Sequence, residues 1–359
     1  MKKLLCVLLT VALLIPMAAM AQEEITVFNW EDYIDQSVLD LFEEETGIHV
    51  NYTCFTTNEE MIISVQANPG AYDVVIPSEY IVQRMVNNDL LAELNYDNIP
   101  NFQYIQDSLK NPSYDPDNAH SVPYMAGTLG ILYNPVMVDE ILQANGSSLE
   151  AEPVDSWAFM WDPRFENNIL MMDSIRDAMA MALAYQGHSL NSTDYTELRA
   201  AADLLLAQKP YVKAYGLDEF KDKMAAGEAA LALVYSGDAE YAIEEAEANG
   251  IELRYVIPKE GSNVWVDCAV IPATSQHKEA AEAFINFLCR PDVAMMNVQE
   301  IWYVCVNDAA IELMGEEYSD LYVLNPTEEE LARCEYYNDI DSNWLTIYDT
   351  LWNEVKSAK

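Results

Sequence analysis

Short apolar runs alternate with amphipathic, cap-bounded stretches along this chain, the pattern of strands alternating with helices. Ile25–Phe28 is the first apolar run and predicts a strand. Asp35 is placed to cap a helix that runs through Glu45 and stops at Gly47. Ile48–Tyr52 predicts a second strand, and Asn58–Gln66 a helix closed by the breaker Asn68-Pro69-Gly70. Tyr72–Ile76 predicts a third strand, ending at Pro77-Ser78-Glu79-Tyr80. Such a β-α-β-α-β series builds a parallel sheet, whose ligands collect at the carboxyl ends of the strands. Asn29-Trp30-Glu31-Asp32-Tyr33 and Pro77–Tyr80 both fall at such ends.

Asn95–Asn118 is rich in Asn, Asp and Pro and reads as a long surface connection. Val122-Pro123-Tyr124 then leads into a strand over Gly127–Asn134. Helices are expected at 136–144, 174–187, 193–208 and 221–227, and Ala229–Tyr235 is an apolar strand ending at Ser236-Gly237-Asp238. Further strands are expected at Leu253–Ile257 and Val264–Ile271, helices at 277–289 and 291–299, and a helical tail from Asn338. No Pro/Gly/Ser linker separates the two α/β stretches. That fits two lobes joined by strands that cross between them, with a cleft in the middle.

The amino terminus stands apart from this pattern. Lys2 and Lys3 precede an apolar Leu4–Ile15, and Ala19-Met20-Ala21 is an A-x-A site, so 1–21 reads as a signal peptide cleaved after Ala21. The apolar core is too short to span a bilayer. No Cys sits at the cleavage point to carry a lipid, so the mature protein is expected to be exported and soluble, without stable membrane insertion. The chain carries 18 basic and 60 acidic residues, a net charge of −42. This excludes nucleic acid and anionic membrane surfaces as partners, since both need basic residues. The same field draws cations inward. Cys54, Cys268, Cys289, Cys305 and Cys334 are an odd set without a CxxC, which leaves at least one thiol unpaired and allows one or two disulfides.

Enzyme signals are weak. His49, His120, His188 and His277 are scattered without metal-binding spacing, and no nucleophile elbow, dinucleotide fingerprint or phosphate loop occurs, so no cofactor or metal is expected. The aromatic–acid pairs are the chemistry that remains. Trp30 and Tyr33 flank Glu31 and Asp32; rings offer negative π faces and carboxylates full charge, which together suit an organic cation. Trp265 and Asp267 lie two apart on a strand and so face the same side. A buried Asp there needs a partner, and a ligand ammonium would be one. Tyr235, Ser236 and Asp238 again set an aromatic and an acid at a strand end.

NWEDYI, YDVVIPSEYIV, SVPYMAGTLGILYN, YSGDA, VIPKEGSNVWVDCAVIP and AEAFINFLCRPDVA occur in this order over essentially the whole mature chain. The ordered set resembles the spermidine/putrescine-binding proteins of ABC transporters. The resemblance implies a periplasmic binding protein-like type II α/β fold, with 22–126 plus 265–302 as one lobe and 127–264 plus 303–359 as the other. It implies a monomeric, non-enzymatic receptor in the periplasm that takes a polyamine between the lobes and delivers it to permease subunits. Matched ligand positions are Trp30, Glu31, Asp32 and Tyr33, then Ser78 and Tyr80. Ser174 and Asp177 stand where the family places two acids, with Asp173 a substitute for the first. Tyr235 replaces a Trp, with Asp238 three residues on; Trp265, Asp267 and Tyr303 match; Tyr337 stands where a Gln is common; Ala126 replaces a frequent Trp. Asp267 is the expected main ammonium partner, with Asp177 and Asp238 as further anchors. A receptor for an opine, an amino acid-like amine or ferric iron, and a secreted hydrolase built on a carboxylate pair, stand as alternatives.

Overall fold

The computed structural model describes residues 23–358; the expected cleavage site lies outside them. Its strands are β1 Glu24–Trp30, β2 His49–Phe55, β3 Val74–Val75, β4 Ser121–Tyr133, β5 Ile169–Met172, β6 Val212–Gly216, β7 Leu231–Tyr235, β8 Arg254–Val256 and β9 Val264–Val270. They pair in the order β2-β1-β3-β9-β4-β7-β5-β6, with β8 on β4. Two parallel groups, β2-β1-β3 and β7-β5-β6, therefore sit on either side of β9 and β4; β9 runs antiparallel to β3, β4 antiparallel to β7, and the two antiparallel to each other.

β4 is the longest strand, and every one of its 13 residues is buried. Its first part pairs with β9 and its second with β7 and β8, so it runs from one parallel group to the other. The expected start at Gly127 is too late: the strand begins at Ser121 and carries Pro123 within it. The register shifts between Pro123 and Met125. A proline cannot donate to the ladder, and the irregularity absorbs the missing donor.

The first helix follows its caps. Asp35 accepts the Ser37 amide, and Gly47 closes the helix Gln36–Thr46 in the left-handed region at φ 75°. Three corrections concern extent. β3 has only two residues, the tail helix starts at Ser342 instead of Asn338, and the connection 95–118 contains three short 3-10 turns. Two strands, β5 and β6, were not anticipated, nor were the helices Glu79–Asn87 and Ser236–Ala248 that follow β3 and β7. The five cysteines among the described residues are free thiols; Cys268, Cys289 and Cys305 are buried, and burial pushes the Cys268 thiol far above its ordinary range. Among the described residues, no helix is long and apolar enough to cross a membrane.

Candidate functional site

The carboxyl ends of β1 and β3 meet β9 at Asp267. Tyr33, in the loop after β1, donates its hydroxyl to Asp267 Oδ2 at 2.8 Å. Ser78, directly after β3, donates to Asp267 Oδ1 at 2.6 Å. Asp267 is only 5 % exposed. Burial pushes its carboxyl up to about 7, against the opposing pull of the Ser78 and Tyr33 hydroxyls. The Tyr33 hydroxyl is raised well above its usual value, by burial first and by the Asp267 charge second. The rest of the Trp30–Tyr33 run stands further out. The Trp30 indole donates to the Ile76 carbonyl at 2.9 Å and packs on Phe55, while Glu31 and Asp32 are exposed. Asp32 adopts a left-handed φ of 47°, which turns the chain between Trp30 and Tyr33.

A second carboxylate lies on the other parallel group. Asp177 opens the helix Ile175–Tyr185 after β5 and is 4 % exposed. It accepts the hydroxyls of Tyr235 at 2.8 Å and Tyr337 at 2.9 Å, and that of Ser174. Asp173 instead pairs with Lys356 on the tail helix. Tyr80 does not touch either acid: Asn58 Nδ2 donates to its hydroxyl and to Ser78 Oγ, both at 3.0 Å. Asp238 lies outside the hydroxyl network, 4.0 Å from Lys221. Burial pushes its carboxyl up to about 7, with Lys221 opposing.

Aromatic rings join the two acids. From Tyr33 at Asp267, ring centroids step 5.4 Å to Tyr303, 5.3 Å to Trp265 and 6.2 Å to Tyr235, which bonds Asp177. All three contacts are edge-to-face or tilted, the arrangement ring quadrupoles favour. The path needs glycines where rings lie on backbone. A Cβ at Gly127 would sit 2.3 Å from Trp265 Cζ2, and one at Gly237 would sit 2.5 Å from the Tyr303 ring. Among the described residues, no Lys or Arg is ion-paired with Asp267 or Asp177.

Four residues at this site were not singled out in the sequence. Asn58 bridges Ser78 and Tyr80. Tyr124 donates to the Tyr33 carbonyl at 2.7 Å and packs edge-on against its ring. Glu79, 1 % exposed, accepts the amides of Val266 at 3.1 Å and Tyr337 at 3.2 Å. Burial pushes its carboxyl up to about 8, with the Asp267 charge adding and the amides opposing. Arg176 lies over Tyr337 with its guanidinium carbon 4.3 Å from the ring centroid. That ring face is thus taken by an internal cation, and Tyr337 faces Asp177 through its hydroxyl alone. Glu79, inside the PSEY run, and Tyr124, inside SVPYMAG, lay in runs the sequence marked; Asn58 and Arg176 carried no signal.

A family model for bacterial extracellular solute-binding proteins matches residues 37–322. The chain belongs to this family. This solute-binding protein is 33% identical over 345 residues to a spermidine/putrescine-binding periplasmic protein of Salmonella typhimurium, covering 95% of the chain and 94% of the relative. It is 31% identical over 374 residues to a putrescine-binding periplasmic protein of Pseudomonas aeruginosa, covering 100% of each. Among solved structures, one described as a putative spermidine/putrescine ABC transporter from Listeria monocytogenes superposes with a TM-score of 0.85 at 37% identity, covering 94% of this chain and 100% of that one. The type II two-lobe architecture and the resemblance to the spermidine/putrescine-binding group agree with these relatives.

Proposed function

We propose that this solute-binding protein captures a polyamine, spermidine or putrescine, outside the cytoplasm and passes it to the permease of an ABC transporter. The observation that carries the reading is the unbroken ring path between two buried carboxylates whose close partners are hydroxyls. A carboxylate at each end suits the terminal ammonium groups of a linear polyamine, and rings between them suit its methylenes and any internal ammonium. The relatives named for spermidine and putrescine support the same ligand class. They give no support to the opine, iron or hydrolase alternatives.

The magnitudes suffice. A charge-assisted hydrogen bond contributes about 1.5–3 kcal/mol, and a cation–π contact about 0.5–2 kcal/mol. Micromolar affinity requires about 8 kcal/mol. Two acids and three or four rings supply about 4.5–14 kcal/mol gross, which reaches this at the upper end of that range, when the costs of association and closure are small. Because both acids are buried, ligand reaches them by parting the lobes, and the receptor acts by binding and closing without chemistry on its cargo. A mature chain starting at Gln22, monomeric and free in a periplasm, completes the proposal. Calorimetric titration of the mature protein with putrescine, spermidine, spermine and ferric citrate tests it. Heat from a polyamine at micromolar protein is expected; silence from all three polyamines would overturn the reading.

A further inference from the structure

The segment 335–339 lies between the short helix Glu328–Leu331 and the tail helix Ser342–Ser357, and its partners alternate between the two lobes. The Glu335 amide donates to the Ser262 carbonyl at 2.9 Å and its carbonyl accepts the Val264 amide at 3.1 Å, which seats the segment beside the start of β9. From there the Tyr337 amide reaches Glu79, the Asn338 amide donates to Asn191 Oδ1 at 2.8 Å, and the Asp339 amide donates to Gln83 Oε1 at 3.0 Å. Arg84 Nε then closes on Asp339 Oδ1 at 2.8 Å. Glu79, Gln83 and Arg84 lie on one helix, Glu79–Asn87, after β3. Asn191 follows the helix Ile175–Tyr185 after β5. An extended segment points successive groups to opposite sides, and here the sides are the two lobes.

Glu79 is the innermost of these contacts. One oxygen holds the Val266 amide, between Trp265 and Asp267, and the other holds the amide of Tyr337, whose hydroxyl bonds Asp177. A single carboxylate thus sets the backbone at both ends of the ring path. Both its donors are main-chain groups, which cannot rotate away to other partners.

We infer that Glu79, Gln83 and Arg84 form an interlobe latch on residues 337–339, and that Glu79 is the positioning residue that joins the Asp267 and Asp177 ends of the ligand slot when the lobes close. The inference rests on the polyamine-receptor reading for its effect on cargo. A latch made on closure slows ligand escape and leaves encounter alone, so it acts on koff and not on kon.

Stopped-flow tryptophan fluorescence with putrescine and spermidine separates the two rates. Glu79→Gln keeps the shape but turns an amide NH2 toward a backbone N–H, and koff is expected to rise about tenfold or more with kon within about twofold. Glu79→Asp retains the carboxyl group and both acceptor oxygens and should recover part of the loss. Arg84→Gln tests the outer contact, which is partly exposed; koff is expected to rise about two- to fivefold. It also carries the test should Glu79→Gln fail to fold. Amide hydrogen exchange reads the latch without cargo: faster exchange at Tyr337 and Asp339 is expected in the variants. Unchanged koff and unchanged exchange in folded variants overturn the latch. A wild-type protein that gives no polyamine signal removes the receptor reading instead, and the exchange measurement then decides the latch alone.

Discussion

Replacing Asp267 by Asn tests the site at its charged centre while sparing its shape. The two carboxylate oxygens accept one hydroxyl each, from Tyr33 at 2.8 Å and Ser78 at 2.6 Å. A carboxylate offers about four acceptor positions, so about two remain for an ammonium. In the Asn variant one hydroxyl still donates to the amide oxygen, and the other rotates to accept from the amide nitrogen. The fold is therefore expected to survive. At alkaline pH it should melt no lower than wild type. The carboxyl is raised from 3.8 to about 7, so the folded state binds more protons than the unfolded state between those values. Stability from this group is present at low pH and is lost as pH rises through about 7. Asn removes that loss. Affinity should move the other way. The variant gives up a charge-assisted bond of about 1.5–3 kcal/mol, or about 10- to 150-fold in Kd. Wild-type affinity should fall about tenfold per unit below pH 7, as Asp267 must release a proton to take an ammonium, whereas the variant's Asp267-linked pH dependence should vanish. Calorimetry from about pH 5.5 to about pH 8.5 in buffers of different ionisation heat measures affinity and proton release together. An Asn variant with wild-type melting and unchanged Kd would refute the reasoning.

Tyr235→Phe and Tyr337→Phe each remove one hydroxyl from Asp177, and each should weaken polyamine binding by about 0.5–1.5 kcal/mol in titration. Their double variant is expected to depart from additivity, because both hydroxyls serve one carboxylate. Gly127→Ala drives a methyl group against Trp265 and should cost about 1–3 kcal/mol of stability, seen as a lower melting temperature with an altered near-UV tryptophan signal. Asp238→Asn should weaken binding less than Asp267→Asn, because Lys221 already answers that charge; equal losses in calorimetry would return Asp238 to the site.

The parallel half β2-β1-β3 was readable because its strands are apolar runs bounded by an Asp cap, a left-handed Gly and an Asn-Pro-Gly break. β5 and β6 were not. β5 is a four-residue apolar run next to a helix of similar composition, and β6 is half-buried at the sheet edge with Lys213 inside it. Periodicity cannot separate such pieces from their surroundings. The strand was expected only from Gly127 although it begins at Ser121 and contains Pro123, since only the pairing register shows how the lost donor is absorbed. At the site, the aromatic–acid pairs announced themselves by composition. Their partners did not: Tyr33 and Asp267 are 234 residues apart, and Glu79 spends its carboxylate on two backbone amides that no side-chain pattern reveals.

Five hydroxyl groups hold the two site carboxylates, and no ammonium or guanidinium is ion-paired with them among the described residues. This shapes unloading as much as loading. A site clamped by its own lysine could evict a cation by letting that lysine swing back. Here, among the described residues, no lysine or arginine is ion-paired with either acid to replace the charge of a departing polyamine, and Arg176, at the Asp177 end, lies over the Tyr337 ring instead. On the proposed reading, discharge is then mechanical: a partner that draws the lobes apart would re-admit water to Asp267 and Asp177, and hydration would take over the charge that the cargo had balanced.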